Sequence, residues 1–197
     1  QTDLASVALR TVQARLGESL QFTPEGLAKR HREHFAPATL RSEWTSLESG
    51  WTALSAAEND ARHEHLIEDV RGMIAHVGDT SNLILDPDLD SYYVMDAVVV
   101  GLPGAQARLG RINTVADNLL AGDTNLPAVA ESLAVQAAML KENDGDRVKA
   151  DVQTAVNEDA GFNGTSPSLQ GQLSPATDRY VQANDAVIAA IRTLLTS

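Results

Sequence analysis

From Tyr92 to Leu119 the apolar side chains return every three or four residues, and no stretch of the chain alternates as a half-buried strand would. Tyr92, Met95, Val99 and Leu102 stand 3-4-3 apart, and Ala105, Leu109, Ile112, Ala116 and Leu119 stand 4-3-4-3 apart. A single spacing of 3 joins the two runs at Leu102-Pro103-Gly104. A proline there removes a backbone donor and crowds the preceding turn, so this spacing predicts one long helix with a kink at 102–104. A seam that changes phase at a kink meets different neighbours on its two sides. The expected fold is therefore all-α: an elongated antiparallel helical bundle, either a single domain over 1–197 or two stacked four-helix modules sharing long helices.

The same periodicity extends outward. Ala5, Leu9, Val12, Leu16 and Leu20 mark a first helix, and Thr23-Pro24 is placed to cap a second running to about His34. Pro37 marks the next turn, with Thr39 as the expected cap. A long helix is expected over 40–83, with Trp44, Leu47, Trp51 and Leu54 on its first face and Leu66, Val70, Met73 and Val77 on its second. The polar run 55–65 between them is either a solvated stretch of continuous helix or a real break; continuity, the favoured reading, gives a rod about 60 Å long at 1.5 Å per residue. Asp86-Pro87 opens the following helix, with Asp86 as N-cap and Asp88 and Asp90 at the positive end of its dipole. Gly122 to Asn125 ends it, and Asn125 caps the next. That helix carries Val129, Leu133 and Leu140, then Val148, Val152 and Ala155, and Gly145 between them would permit a local break. Residues 157–175 read as a loop, and Tyr180, Val187, Ile191 and Leu194 as the face of a last helix.

One segment carries a family resemblance. DTSNLILDPDLDSYYVMDAVVVGLP, residues 79–103, is similar to a segment of the extracytoplasmic all-helical sensor domains of bacterial membrane receptors, both sensor histidine kinases and methyl-accepting chemotaxis proteins. The resemblance implies a periplasmic ligand-sensing module between two transmembrane helices, dimeric, whose partner is a small molecule or a periplasmic binding protein. Ligand binding would then displace helices and so signal across the membrane. The sensing part itself would not be an enzyme; a kinase or chemotaxis module would lie elsewhere in the receptor.

Charge narrows the partners. A net charge of −12 disfavours nucleic acid and anionic membrane surfaces. The absence of cysteine removes disulfides, thiolate metal sites and thiol nucleophiles together. No apolar run approaches the ~20 residues that cross a bilayer, and the chain reads as a soluble fragment of a longer protein.

Asn82, Tyr92, Tyr93 and Asp96 gather polar tips where two long helices should meet, and are the expected ligand-binding residues. Asp86, Asp88 and Asp90 begin like a calcium loop, but Ser91 and Ala97 stand where glycine and glutamate are required. His31 and His34 could share a helical face, whereas His63 and His65 point apart. The paired Glu-x-x-His motifs of a di-iron bundle are missing. The histidines are therefore read as surface residues, and neither metal nor cofactor is expected. Arg41, Arg62 and Arg111 could hold an acidic ligand, with surface ion pairs as the plainer reading. Nothing resembles a nucleophile elbow or a phosphate loop. A structural or adaptor bundle that binds a partner protein is the alternative function.

Overall fold

The computed structural model describes residues 2–120, 122, 126–162 and 164–196, and all the regular structure among them is helical. Two compact units divide the chain, residues 1–83 and 84–197. The boundary falls in the corner that the sequence marks, and no α-helix crosses it.

Unit 1 contains α1 (Thr2–Leu16), α2 (Pro24–Ala28), a 3-10 turn (Glu33–Phe35), α3 (Pro37–Gly50) and α4 (Ala56–Thr80). Thr23 caps α2 as expected, its Oγ1 accepting from the N–H of Gly26 at 3.1 Å. The expected Thr39 cap is displaced: Pro37 is already the first residue of α3, and Ala36 at the cap position offers no side-chain acceptor. The continuous rod over 40–83 is also corrected. The chain turns through Trp51–Ala53 and restarts at a capping box, where Ser55 Oγ accepts from Glu58 N and Glu58 Oε2 accepts from Ser55 N. The break folds α3 and α4 into an antiparallel hairpin. It also leaves Trp51 54% exposed, so only Leu47 of that first face is a core residue.

Buried in this unit are Leu27, Phe35 and Leu40, with Phe22, Leu66 and Met73 packed around them. The approach is close at Gly72, where a Cβ would lie 2.8 Å from Phe35 Cδ1. His76 is fully buried against Phe22 and Phe35. Its Nε2 lies 2.8 Å from the carbonyl of Leu20, and Arg32 reaches its Nδ1 at 3.3 Å. A guanidinium can only donate, so Nδ1 accepts and Nε2 carries the proton. Burial foremost, helped by Arg32 and Arg30, holds this imidazole below its usual range.

Unit 2 is three helical rods, each carrying a π segment. The first runs through α5 (Leu89–Asp96), a π segment (Ala97–Gly101) and α6 (Leu102–Leu120). The second is α7 (Leu126–Met139), a π segment (Leu140–Asp146) and α8 (Arg147–Glu158); the third is a π segment (Leu169–Leu173) followed by α9 (Ser174–Thr196). Packing of α5 on α8, α6 on α7 and both α7 and α8 on α9 makes the rods antiparallel neighbours. Two apolar clusters hold them, one around Leu133, Leu140, Ile188 and Ile191, the other around Ala97, Val148 and Val152.

Four readings change here. Asp86 does not cap α5: its Oδ1 accepts from the N–H of Asp88 in a tight turn, and Asp88 takes the cap position. At Pro103 the distortion is spread over the π turn before it. A proline at 103 cannot donate to the Val99 carbonyl, which frees the ladder to widen. Gly145 does not break the helix but lies within a π segment. The loop expected over 157–175 is shorter, because Asp159–Gly161 form a 3-10 turn and helical structure resumes before the π segment at Leu169. Asp159 secures that connection, its Oδ2 accepting from Ser166 N and Gln170 Nε2 at 2.9 Å. The expected cap Asn125 lies outside the described residues, while Gly122 adopts φ 101 after α6.

Candidate functional site

The four residues singled out from sequence divide between the units. Asn82 belongs to unit 1 and adopts the left-handed region, φ 61, just after α4. Tyr92, Tyr93 and Asp96 lie on α5 in unit 2, with the two rings edge to face at 5.4 Å. Asp96 is engaged within the fold: its two oxygens accept from Arg147 Nε and an Nη at 2.8 and 2.7 Å. Burial raises its pKa, but the hydrogen bonds from Arg147 and Asp151 outweigh that and leave it below the ordinary carboxylate value. Asp151 pays the difference. Burial, then the hydrogen bond and charge of Asp96, push Asp151 up to about 6. Nearby on the same rods, Arg108 donates to Asp144, Gln136 Oε1 and Met139 Sδ in a buried cluster. Tyr180 Oη and Asn184 Nδ2 are buried in the same region, and burial foremost raises the Tyr180 phenol above its ordinary range against an opposing hydrogen bond with Asn184. This polar core borders the π segments 97–101 and 140–146, and π turns often mark positions where a helix must bend or shift.

Unit 1 holds a cavity. It has a volume of about 540 Å³ and lies between α3 and α4, lined by Ser42, Glu43, Ser46 and Leu47 from one helix and by Ala61, Arg62, His65 and Leu66 from the other. The size falls within the ~300–1,000 Å³ of small-molecule sites. Its walls are apolar at Leu47, Ala61 and Leu66 and carry charged or ionisable tips at Glu43, Arg62 and His65. Beside it lies Asp69, one turn beyond His65 on α4 and 5% exposed at its side chain. Asp69 Oδ2 is 3.4 Å from His65 Nε2, and Oδ1 is 3.8 Å from His34 Nε2. Single ligand atoms of Glu43, His65 and Asp69 come within 4.8 Å of one another.

His31 and His34 do not share a helical face, because His31 takes φ 56 at the turn after α2. His63 turns its Nδ1 to the Asn59 carbonyl of its own helix, 2.9 Å away. Sequence reasoning named Arg62 for an acidic ligand and missed Glu43, His65 and Asp69 as a group. Their signal was the i, i+4 spacing of His65 and Asp69 on a helix whose neighbouring apolar stripe is broken. No family model, curated protein or solved structure matches this chain.

Proposed function

We propose that the chain is an extracytoplasmic ligand-sensing module of a bacterial transmembrane receptor, either a histidine kinase or a chemoreceptor. The observation that carries this reading is the segment 79–103, whose resemblance to such sensor domains spans the end of α4, the corner and the start of the first rod in unit 2. The all-helical architecture and the α3–α4 cavity support it. No described helix is long and apolar enough to cross a membrane, so the anchoring helices belong to flanking sequence in this reading. Tyr92, Tyr93 and Asp96 remain candidates for ligand contact in unit 2, with Asn82 in unit 1. The α3–α4 cavity is a second candidate receptacle, in unit 1.

Signalling needs an element with two packings of similar energy, which a ligand biases by preferring one. The π segments supply a physical means. Each holds an extra residue per turn, and sliding that excess along a rod rotates the helix beyond it.

Placement is testable by thiol labelling, because residues 1–197 contain no cysteine and labelling of the unsubstituted gene product gives the background to subtract. Glu48 is exposed on α3, and Glu48→Cys in the whole gene product is expected to react with a membrane-impermeant thiol reagent in cells with only the outer membrane opened. Labelling that requires lysis of the inner membrane overturns the reading.

A further inference from the structure

We propose that Glu43, His65 and Asp69 form a binding site for a divalent transition-metal ion beside the α3–α4 cavity, with His34 completing it. Geometry comes first. Two ligand atoms at about 2.0–2.1 Å from a tetrahedral ion stand about 3.4 Å apart. That is the separation of His65 Nε2 and Asp69 Oδ2. The candidate atoms of Glu43, His65 and Asp69 all fall within 4.8 Å, a spread that small side-chain rotations close. His34 Nε2 stands 3.8 Å from the other oxygen of Asp69, within reach of the same ion after a similar adjustment.

Burial is the independent observation. Asp69 is only 5% exposed at its side chain, yet its Oδ2 has no hydrogen-bond partner. Glu43 Oε2 is likewise buried and unpartnered. A desolvated carboxylate costs several kcal/mol unless a cation or donors compensate it. Among the described residues, the ion-pair partners of Asp69 are the two imidazoles and no lysine or arginine. A bound cation would satisfy both orphaned oxygens and use the imidazoles as neutral ligands.

The donor set selects the ion. Imidazole nitrogens with carboxylate oxygens suit zinc, cobalt, nickel or ferrous iron, whereas an all-oxygen set would suit calcium or magnesium. The ligands come from α3, α4 and the 3-10 turn Glu33–Phe35, so an ion would tie three segments of unit 1 together. The proposal needs only these four side chains and is independent of the receptor reading, since ion binding is measured on the purified chain whatever its cellular location.

Chelator-stripped protein titrated with Zn²⁺ by calorimetry, and with Co²⁺ followed by visible absorption, decides it. One ion per chain is expected. His65→Gln sits at an exposed position, leaves folding intact, and is expected to weaken binding roughly tenfold or more. Asp69→Asn is expected to do the same, with circular dichroism confirming that the variant is folded. His63→Gln is expected to leave affinity unchanged. Absence of stoichiometric binding overturns the proposal, as does binding that His65→Gln leaves intact; either result makes the cluster a plain imidazole–carboxylate contact.

Discussion

Two buried titratable residues contribute to stability with opposite dependence on pH. Asp151 has its pKa raised from 3.8 to about 6 in the folded chain. Between those values the folded state holds a proton that the unfolded state has released, so stability from Asp151 is complete below about pH 4 and lost as pH rises through 6. Asp151→Asn mimics the protonated form. Thermal unfolding at pH 8 should show the variant more stable by about 1–3 kcal/mol, with the difference vanishing near pH 4. His76 has the reverse sign: its folded pKa is depressed below 6.5, so its contribution is present above that pH and lost as pH falls. His76→Ala empties a fully buried site and strands the Leu20 carbonyl, while Arg32 keeps its ion pair with Asp79. Denaturant melts of unit 1 at neutral pH should show a loss of about 2–4 kcal/mol. Neither residue stood out in the sequence. A lone histidine on a helix and one aspartate among 27 acidic residues acquire their character only from what folds over them.

At the scale of elements, local chemistry decided more than periodicity. The capping box at Ser55 and Glu58 ends the α3–α4 rod that apolar spacing alone extends through it, because two reciprocal hydrogen bonds satisfy the free N–H groups of a new helix start. That signal was legible in the sequence as Ser-x-x-Glu. Ser55→Ala is expected to lower stability by about 0.5–2 kcal/mol, read from the thermal midpoint. Gly72 carries the opposite kind of information, since nothing in the sequence says that a phenylalanine ring will press on it. Gly72→Ala puts a methyl group 2.8 Å from Phe35 Cδ1, and overpacking of this kind costs about 1–3 kcal/mol. The same melts check it. The π segments were half visible. Pro103 and Gly145 flagged two irregular positions, but helical propensity does not distinguish a break from a turn that takes in one more residue.

For the molecule as a whole, the all-helical class followed from period alone, because apolar residues at three and four cannot line one face of a strand. The partition at 83/84 was not legible: the sequence marked the corner only as a helix start and placed its hint of two modules at the kink 102–104. Unit 2 has its own apolar clusters and a buried Arg108–Asp144 pair. The fragment 84–197 expressed alone is expected to be helical and to unfold cooperatively; a featureless melt would show that it lacks an independent core. The candidate site was the least legible part, since its ligands and walls come from segments that meet only when the helices pack.

Under the sensing proposal, this bundle binds a small ligand and responds to it. The most direct measurement is a thermal-shift screen of the purified chain against metabolites and divalent ions, followed by hydrogen exchange with any compound that stabilises it. At least one ligand is expected to raise the midpoint and slow exchange in α3 and α4. A screen in which nothing moves the midpoint, while a partner protein does, would contradict it and favour an adaptor bundle.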